Sequence, residues 1–434
     1  MKVSLENLSA TQKKVDVVIP ADVVKEKRAE VFGEIRKTAK IKGFRPGKAP
    51  AGVVESMFKK EILGETATRL VTSSLEEALK EVSAHPISRP EINPPDPFEM
   101  DRDFEYSAIF DVLPEVELSE YKGLPIKKEV SEITDHDVEH TIRHYLEHKA
   151  EARAYEGEHA AEKGDVVIVD FEGFLGDEPV NDLKREGLRF VVGEGRVIPE
   201  FEENVVGMKK DEEKEFDVEY GEDFQIKEAA GKTVRFKFRV TDVQERIIPE
   251  LTDELAKEVG QENAEELKKS VKKDLEAQAE QQTRNKLRQA AVEALVEKNA
   301  VEAPQSLVNE EITRLARNTA QGLQQRGIPA SAIGEEAKAV IQERADKNVK
   351  ASILLAEIAK KESITATEDD IDKSLSEVAA GYNVTLEQVR EIYRQNDMLE
   401  GLHANLVEQK VIDFIIENAA IEEVKGEPNH VDNK

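Results

Sequence analysis

From Ile247 almost to the C-terminus, apolar residues return at a spacing near 3.6, and this periodicity constrains the chain more than any other feature. The segments 262–299, 304–326, 335–362, 368–380 and 385–419 all carry it, punctuated by "APQ", "RGIPAS", "SITAT" and "GYNVT". Aromatic residues make up only 5% of the chain, Trp is absent, and charged residues reach 35%. Burial must therefore rest on Leu, Ile, Val and Ala, which fits extended amphipathic helices better than one large enzyme core. Most of each apolar stripe is accounted for by interhelical packing. Clefts between such arms would still leave apolar surface uncovered, and such surface marks interaction sites. "AVEALVEKNA" (291–300) and "KVIDFIIENA" (410–419) share a pattern, an apolar helix ending in Lys/Glu-Asn-Ala. The tail from 422 to 434 is expected to be disordered.

The period changes upstream. Across 158–246, "KGDVVIVDFEGFLGDEPV", "GLRFVVGEGRVIPEFEENVVGMKKDEEKEFDVEYGEDF" and "AGKTVRFKFRVTDVQE" alternate as strands between Gly/Asp turns, with a short helix after Pro199. A compact antiparallel sheet with one helix on its face is predicted. "GEGRVIPEF" (193–201) is neither a GxGxxG nor a Walker loop, which argues against nucleotide binding. Residues 1–112 read as a mixed α/β domain: a strand at 13–20, a helix at 22–40 with Asp22 as its cap, a helical stretch at 49–82 broken near Gly64, and a strand at 103–113. Between them, 113–157 reads as a connector that packs with the helical body. His136, His140, His144 and His148 stand at successive i, i+4 positions on its helix. Such pairs can hold zinc or nickel, but the interspersed charges and missing supporting ligands make a solvated face the better reading, so no metal is expected.

The formal net charge is -29, yet no acid occurs from Ile35 through Val54. That stretch holds Arg36, Lys37, Lys40, Lys42, Arg45 and Lys48. Gly43, Gly47, Pro46 and Pro50 break any helix there, leaving a cationic loop that carries Phe44. The acidic remainder disfavours general nucleic-acid binding, so an anionic partner must be met locally, through this loop. A basic turn on its own is more often solvated than docked. Cys is absent, excluding disulfides, thiolate metal sites and Cys nucleophiles. No apolar h-region or bilayer-length run is present, and a soluble cytoplasmic protein without membrane or DNA partners is expected.

Three motifs in order carry a resemblance across essentially the whole chain. "GFRPGKAP" resembles the ribosome-binding signature of the trigger factor family, with Gly43, Phe44, Arg45, Gly47, Lys48 and Pro50 matching and Pro46 in the variable slot. "GEGRVIPEFEENVVGM" resembles the core of FKBP-type prolyl isomerases, and "RIIPELTDELAKEVG" (246–260) is similar to that family's exit into its helical domain. The resemblance implies a multidomain α+β chain: a ribosome-binding domain (1–112), an FKBP-like domain of antiparallel sheet plus helix (158–246), and an elongated all-α chaperone domain with arms (247–421). It implies a ribosome-associated chaperone that shields nascent or unfolded chains, keeps them open and aids folding and export, with prolyl isomerase activity and no cofactor.

By the same resemblance Arg45, Lys42 and Lys48 would pair with rRNA phosphates and acidic side chains of a ribosomal protein at the tunnel exit. Phe44 would add apolar contact, and a homodimer off the ribosome is one state it allows. The prolyl pocket would comprise Phe171, Val180, Leu188, Val197, Ile198, Phe201, Phe224 and Phe236, with Phe201 as the floor and the Ile198 N–H as a donor. Val180 and Leu188 stand where the FKBP pattern has phenylalanines, and Asn181 where it has an aspartate, which points to low activity. Core packing alone accounts for Val197 and Phe236 about as well. Two other readings remain open at this stage: an FKBP-type isomerase first and foremost, and a holding chaperone with a degenerate, non-catalytic pocket.

Overall fold

The computed structural model describes residues 1–45, 47–93, 102–222, 224, 226–326 and 334–425. The chain opens with β1 (Lys2–Asn7) and β2 (Gln12–Ile19), followed by α1 (Ala21–Thr38), α2 (Ala51–Met57), α3 (Lys59–Glu81), β3 (Glu91–Asn93) and β4 (Phe104–Asp111). The sheet order is β1-β2-β4-β3, antiparallel throughout. Alternation along β2 and β4 sends Val15, Val17, Phe104, Tyr106, Ala108 and Phe110 to one face, where Val24, Leu70 and Ala78 of the helices complete a core. Two expectations need correction. Gly64 lies inside α3, and the helical stretch breaks at Phe58 instead; Pro20 holds the N-cap of α1, with Asp22 in its first turn. The strand β1 was not foreseen, because "KVSLEN" is too polar to alternate clearly.

The chain continues through β5 (Pro125–Val130), α4 (Asp135–His148), β6 (Glu151–Ala154), β7 (Val166–Leu175), β8 (Glu178–Val191), α5 (Pro199–Val205), β9 (Glu213–Glu219) and β10 (Thr233–Ile247). The five-stranded sheet runs β6-β10-β7-β8, with β9 on β10. Because β6 pairs with Gln244 to Ile247, this sheet starts before the expected boundary at 158. On β10, Val234, Phe236, Phe238 and Val240 point inward. The intervening Arg235, Lys237 and Arg239 face Asp217, Glu215 and Asp211 on the solvated side.

The helical region comprises α6 (Asp253–Glu258), α7 (Ala264–Lys298), α8 (Gln305–Gln325), α9 (Glu335–Glu362), α10 (Glu368–Tyr382), α11 (Leu386–Gln395) and α12 (Leu399–Glu417), then β11 (Ala420–Lys425). Thr367 and Thr385, the last residues of "SITAT" and "GYNVT", cap α10 and α11 through reciprocal capping boxes. The expected single helix 385–419 is divided, with Asp397 in the left-handed region (φ 53°) between α11 and α12. Residues 422–425, expected in a disordered tail, pair in parallel with β5; the rest of that tail and most of "RGIPAS" lie outside the described residues.

The described residues divide into two units: 1–130 with 283–425, and 131–282. The connector is thus split after Val130. In the first unit Leu124 and Ile126 are buried among Ala291, Leu295, Leu354, Ile358, Val411 and Ile415. Each such leucine or isoleucine contributes about 1.5–3 kcal/mol. Of the two Asn-Ala endings, the first has a structural reason in its side chain. The Asn299 amide donates to the carbonyls of Glu120 and Leu295 and accepts from the Ser119 N–H. At the second ending it is the main-chain carbonyl of Asn418 that accepts from the Gly123 N–H, while its side-chain amide donates to the Phe414 carbonyl within α12. Both helices therefore end by gripping the connector. Asp111, at the end of β4, accepts from the Ser306 N–H at 2.9 Å in the first turn of α8, which has no side-chain cap of its own. In the second unit Val138, Ile142 and Leu146 of α4 pack with Leu251, Leu255, Val271 and Leu275.

Asn299 is 2% exposed and satisfies three backbone groups. Asn299→Ala is expected to lower stability of the first unit by about 1–3 kcal/mol in urea denaturation, since the connector groups stay buried without partners. Gly173 is a second such point. A Cβ there would stand 2.9 Å from Leu183 Cβ and 3.1 Å from Val234 Cγ1. Gly173→Ala should therefore destabilise the second unit by about 1–3 kcal/mol, read by the same method.

Candidate functional site

The cationic loop sits on an apolar base. Ile41, Ala49 and Val54 are buried against Phe32, Ile35, Ala39, Val53 and Phe58. Two successive turns rise from this base: the Phe44 N–H donates to the Ile41 carbonyl and the Lys48 N–H to the Arg45 carbonyl. Gly43 (φ 95°) and Gly47 (φ 78°) take the left-handed conformations these turns need. The result presents Lys42, Gly43, Phe44, Arg45 and Lys48 to solvent, Phe44 at 43% exposure, with Gly47 half-buried. Pro46 lies outside the described residues.

Among the described residues, no acid pairs with Lys42, Arg45 or Lys48. Several cations elsewhere in the same domain are engaged: Lys14 with Asp16, Arg28 with Glu55, Arg69 with Glu34 and Glu65, Lys80 with Glu76. An exposed aromatic among unpaired cations, on a fixed base, can meet a phosphate or carboxylate surface.

The second candidate lies on the inner face of the five-stranded sheet. Pro199 occupies the first position of α5, where its missing N–H costs nothing, and Ile198 is the N-cap. The seven-residue helix then buries Phe201 and Val205. The loop before it is structural: the Gly195 N–H donates to Glu202, and Glu194 pairs with Arg246 and Arg196. Phe201 meets four rings edge-on, with centroids 4.9 Å from Phe171, 5.1 Å from Phe236 and Phe238, and 5.7 Å from Phe216. Such edge-to-face pairs add about 0.5–1.5 kcal/mol each beyond burial.

All eight residues expected at the prolyl pocket fall in this one cluster, but at different depths. Val180, Phe201 and Phe236 are buried; Phe171, Leu188, Val197, Ile198 and Phe224 are half-buried at its rim. Asn181 is exposed. Among the described residues nothing accepts from the Ile198 N–H, so that donor is open to a bound chain. Sequence reasoning missed Phe216 and Tyr220, which also line the cluster; Tyr220 stacks on Phe224 at 3.9 Å. The signal was there, because Phe216, Val218 and Tyr220 share the parity that points β9 inward. Tyr155 packs nearby, but its hydroxyl donates to the buried Asp165, which also meets His159 and the Glu162 N–H. Among the described residues no nucleophile or proton relay faces the cluster's centre. What it offers is an apolar cradle with a few donors.

A third feature is the groove in the first unit lined by Leu113, Val116, Leu307, Val349, Ile353 and Ile412, with charged residues such as Glu310, Arg314 and Lys360 along it. The histidines of α4 are all exposed; the His144 and His148 rings lie 4.7 Å apart, edge to face. Among the described residues no group of three or more metal-ligating side chains gathers, and no helix is long and apolar enough to cross a membrane.

Comparison with known proteins agrees with the three-part organisation. The family described as bacterial trigger factor protein (TF) matches residues 1–145 and its C-terminus family residues 263–417. Between them the family FKBP-type peptidyl-prolyl cis-trans isomerase matches residues 157–241. The trigger factor of Geobacter sulfurreducens is 35% identical over 98% of this chain and 99% of its own. That of Geotalea uraniireducens is 32% identical over the same shares. A solved trigger factor chaperone, described for promiscuous substrate recognition in folding and assembly, shares the fold with a TM-score of 0.50, covering 96% of this chain and 99% of its own at 21% identity. With relatives 32–35% identical over nearly their full length and the three family matches in the same order, the chain belongs to the bacterial trigger factor family.

Proposed function

We propose that this ribosome-associated chaperone docks through the loop Lys42 to Lys48, holds unfolded polypeptide on the apolar groove of its helical region, and isomerises X-Pro bonds in the aromatic cradle. The observation that carries the docking reading is the exposed Phe44 among cations without acidic partners. Arg45, Lys42 and Lys48 pair with rRNA phosphates and with acidic side chains of a ribosomal protein near the tunnel exit. Each cation that meets a phosphate releases counterions, so affinity falls steeply with salt. Gly43 and Gly47 let the backbone approach closely. The clients are nascent and unfolded chains in the cytoplasm.

Isomerisation asks little chemistry of the protein. Rotation about an X-Pro bond is opposed by a barrier of about 18–20 kcal/mol from amide resonance. A cradle that excludes water and fits the twisted amide better than either planar form lowers it without nucleophile or metal. Phe201 and Phe236 form the floor, Phe171 and Phe224 the walls, and the Ile198 N–H holds the peptide. Val180 and Leu188 are smaller than phenylalanine, which widens the cradle and keeps activity modest. We assign the isomerase domain to residues 151–247, following the strands rather than the composition break at 158.

Replacing Phe44, Arg45 and Lys48 together with alanine is expected to abolish cosedimentation with purified ribosomes. Suppression of aggregation of a soluble denatured client should persist. Unchanged cosedimentation would remove the docking reading. Phe201→Ala is expected to reduce proline-peptide turnover by more than tenfold while client holding remains; holding that falls in step with turnover would instead favour an enzyme-first protein.

A further inference from the structure

Leu188 and Phe190 on β8 both face the core of the cradle, and strict alternation from them would send Arg185 to the outer, solvated face of the sheet. A bulge prevents this. Val169 stands opposite Leu188 but Phe171 stands opposite Arg185, so Glu186 and Gly187 together face Asp170 alone. Gly187 takes the left-handed conformation that the extra residue needs (φ 68°), and the Asp170 carboxylate accepts its N–H at 2.7 Å. The neighbours show the change of parity. Leu183 is buried in the cradle core, against Gly173. Lys184 and Glu186 line a cavity on the outer face with Glu215 and Lys237, and Lys184 pairs there with Glu172 at 3.1 Å. Arg185, between those two, is therefore on the cradle face. Residues directly opposite in such a ladder have Cβ atoms about 4.5–5.5 Å apart, which sets Arg185 beside the Phe171 wall.

The cation there is exposed, and among the described residues no acid pairs with it. On the outer face of the same sheet Lys184, Arg235, Lys237 and Arg239 all have carboxylate partners. We propose that Arg185 selects among proline peptides, by pairing with a carboxylate that the client carries next to the proline held between Phe171 and Phe201. The proposal rests on the isomerase reading and names a client class for that site: segments with Asp or Glu adjoining proline. A guanidinium is charged at every working pH, and its forked donors match a carboxylate. The rings themselves are uncharged, so a neutral peptide is bound without this contact and an acidic one is bound better. The net charge of -29 repels an acidic peptide at long range, so a preference for one has to come from a local cation.

The test compares three capped peptides on the full chain: Glu immediately before the proline, Glu immediately after it, and Gln at both positions. Turnover and calorimetric affinity are read for each. At least one Glu peptide is expected to show KM and Kd about two- to fivefold below those of the Gln peptide, the size of an exposed ion pair. The kcat values should agree within about twofold, since a contact made equally in ground and transition states alters binding alone. Added sodium chloride should shrink the difference. Arg185→Gln should erase it, Arg185→Glu reverse it, and Arg185→Lys, which keeps the charge, retain it. The ratio between peptides is the readout, and a merely structural role for Arg185 would not move it. The proposal is overturned if neither Glu peptide is favoured by the parent chain, or if the preference survives Arg185→Gln. If Phe201→Ala loses turnover while Arg185→Gln leaves the preference intact, the isomerase reading stands and this inference alone fails. If the parent chain shows no turnover, the isomerase reading falls; tighter binding of a Glu peptide that Arg185→Gln abolishes still supports the selecting cation, and equal or absent binding removes it.

Discussion

The helical region of the first unit is not built from one stretch of sequence, and everything in that unit depends on how the connector is seated in it. Leu124 and Ile126 enter the same core as Leu295, Leu354, Ile358, Val411 and Ile415. The backbone that brings them there is then secured by polar groups at both helix ends, the Asn299 side chain after α7 and the Asn418 main-chain carbonyl after α12. Pairing of β11 with β5 adds a parallel ladder from Ala420 opposite Pro125 to Lys425 opposite Val130. These contacts close chain segments separated by hundreds of residues, but loop-closure entropy grows only logarithmically with length. A modest set of buried leucines and isoleucines, with the buried Asn299, can therefore hold them. Asp111 extends the same logic to the N-terminal domain, by capping α8 with a carboxylate from β4.

Against that frame the charge distribution has a simple consequence. A chain of formal net charge -29 is repelled by a polyphosphate at long range. Screening limits the repulsion to about 8 Å at physiological ionic strength. Inside that distance only the local charge matters, and the exposed loop supplies Lys42, Arg45 and Lys48 without competing acids. The apolar base of Ile41, Ala49 and Val54 matters because a loop that collapsed onto neighbouring carboxylates would lose these cations to internal ion pairs. Anchoring keeps them available. The acidic remainder then favours attachment at one point over coating an RNA surface.

Much of this was legible from periodicity. The helices α7 to α10 lie close to the expected segments, and the inward face of β10 follows from strict alternation of Val234, Phe236, Phe238 and Val240 with charged residues. The loop was legible because Gly and Pro mark it and acids are missing. The strands β1 and β11 were not. "KVSLEN" and "AIEEVK" are mostly exposed on both faces, so pairing with a distant partner, not local pattern, makes them strands. The break at Phe58 in place of Gly64 shows tertiary packing overriding propensity, since Phe58 packs beneath the cationic loop while a glycine inside a helix costs only about 1 kcal/mol. Tyr220 was missed for a different reason. It lies one residue past β9, where a turn was expected, and parity alone reveals that it still points inward.

The proposed docking and the proposed isomerisation rest on opposite kinds of physics. Contact between cations and phosphate is weakened by any added salt. An aromatic cradle made of Phe171, Phe201, Phe224 and Phe236 has no charge to screen, and strongly hydrated salts such as sulfate strengthen burial of a proline ring within it. A single titration with sulfate therefore separates the two activities in one sample: ribosome association should fall while turnover of a proline peptide holds or rises. A parallel loss of both would mean that the cradle depends on a charged contact and not on apolar burial alone.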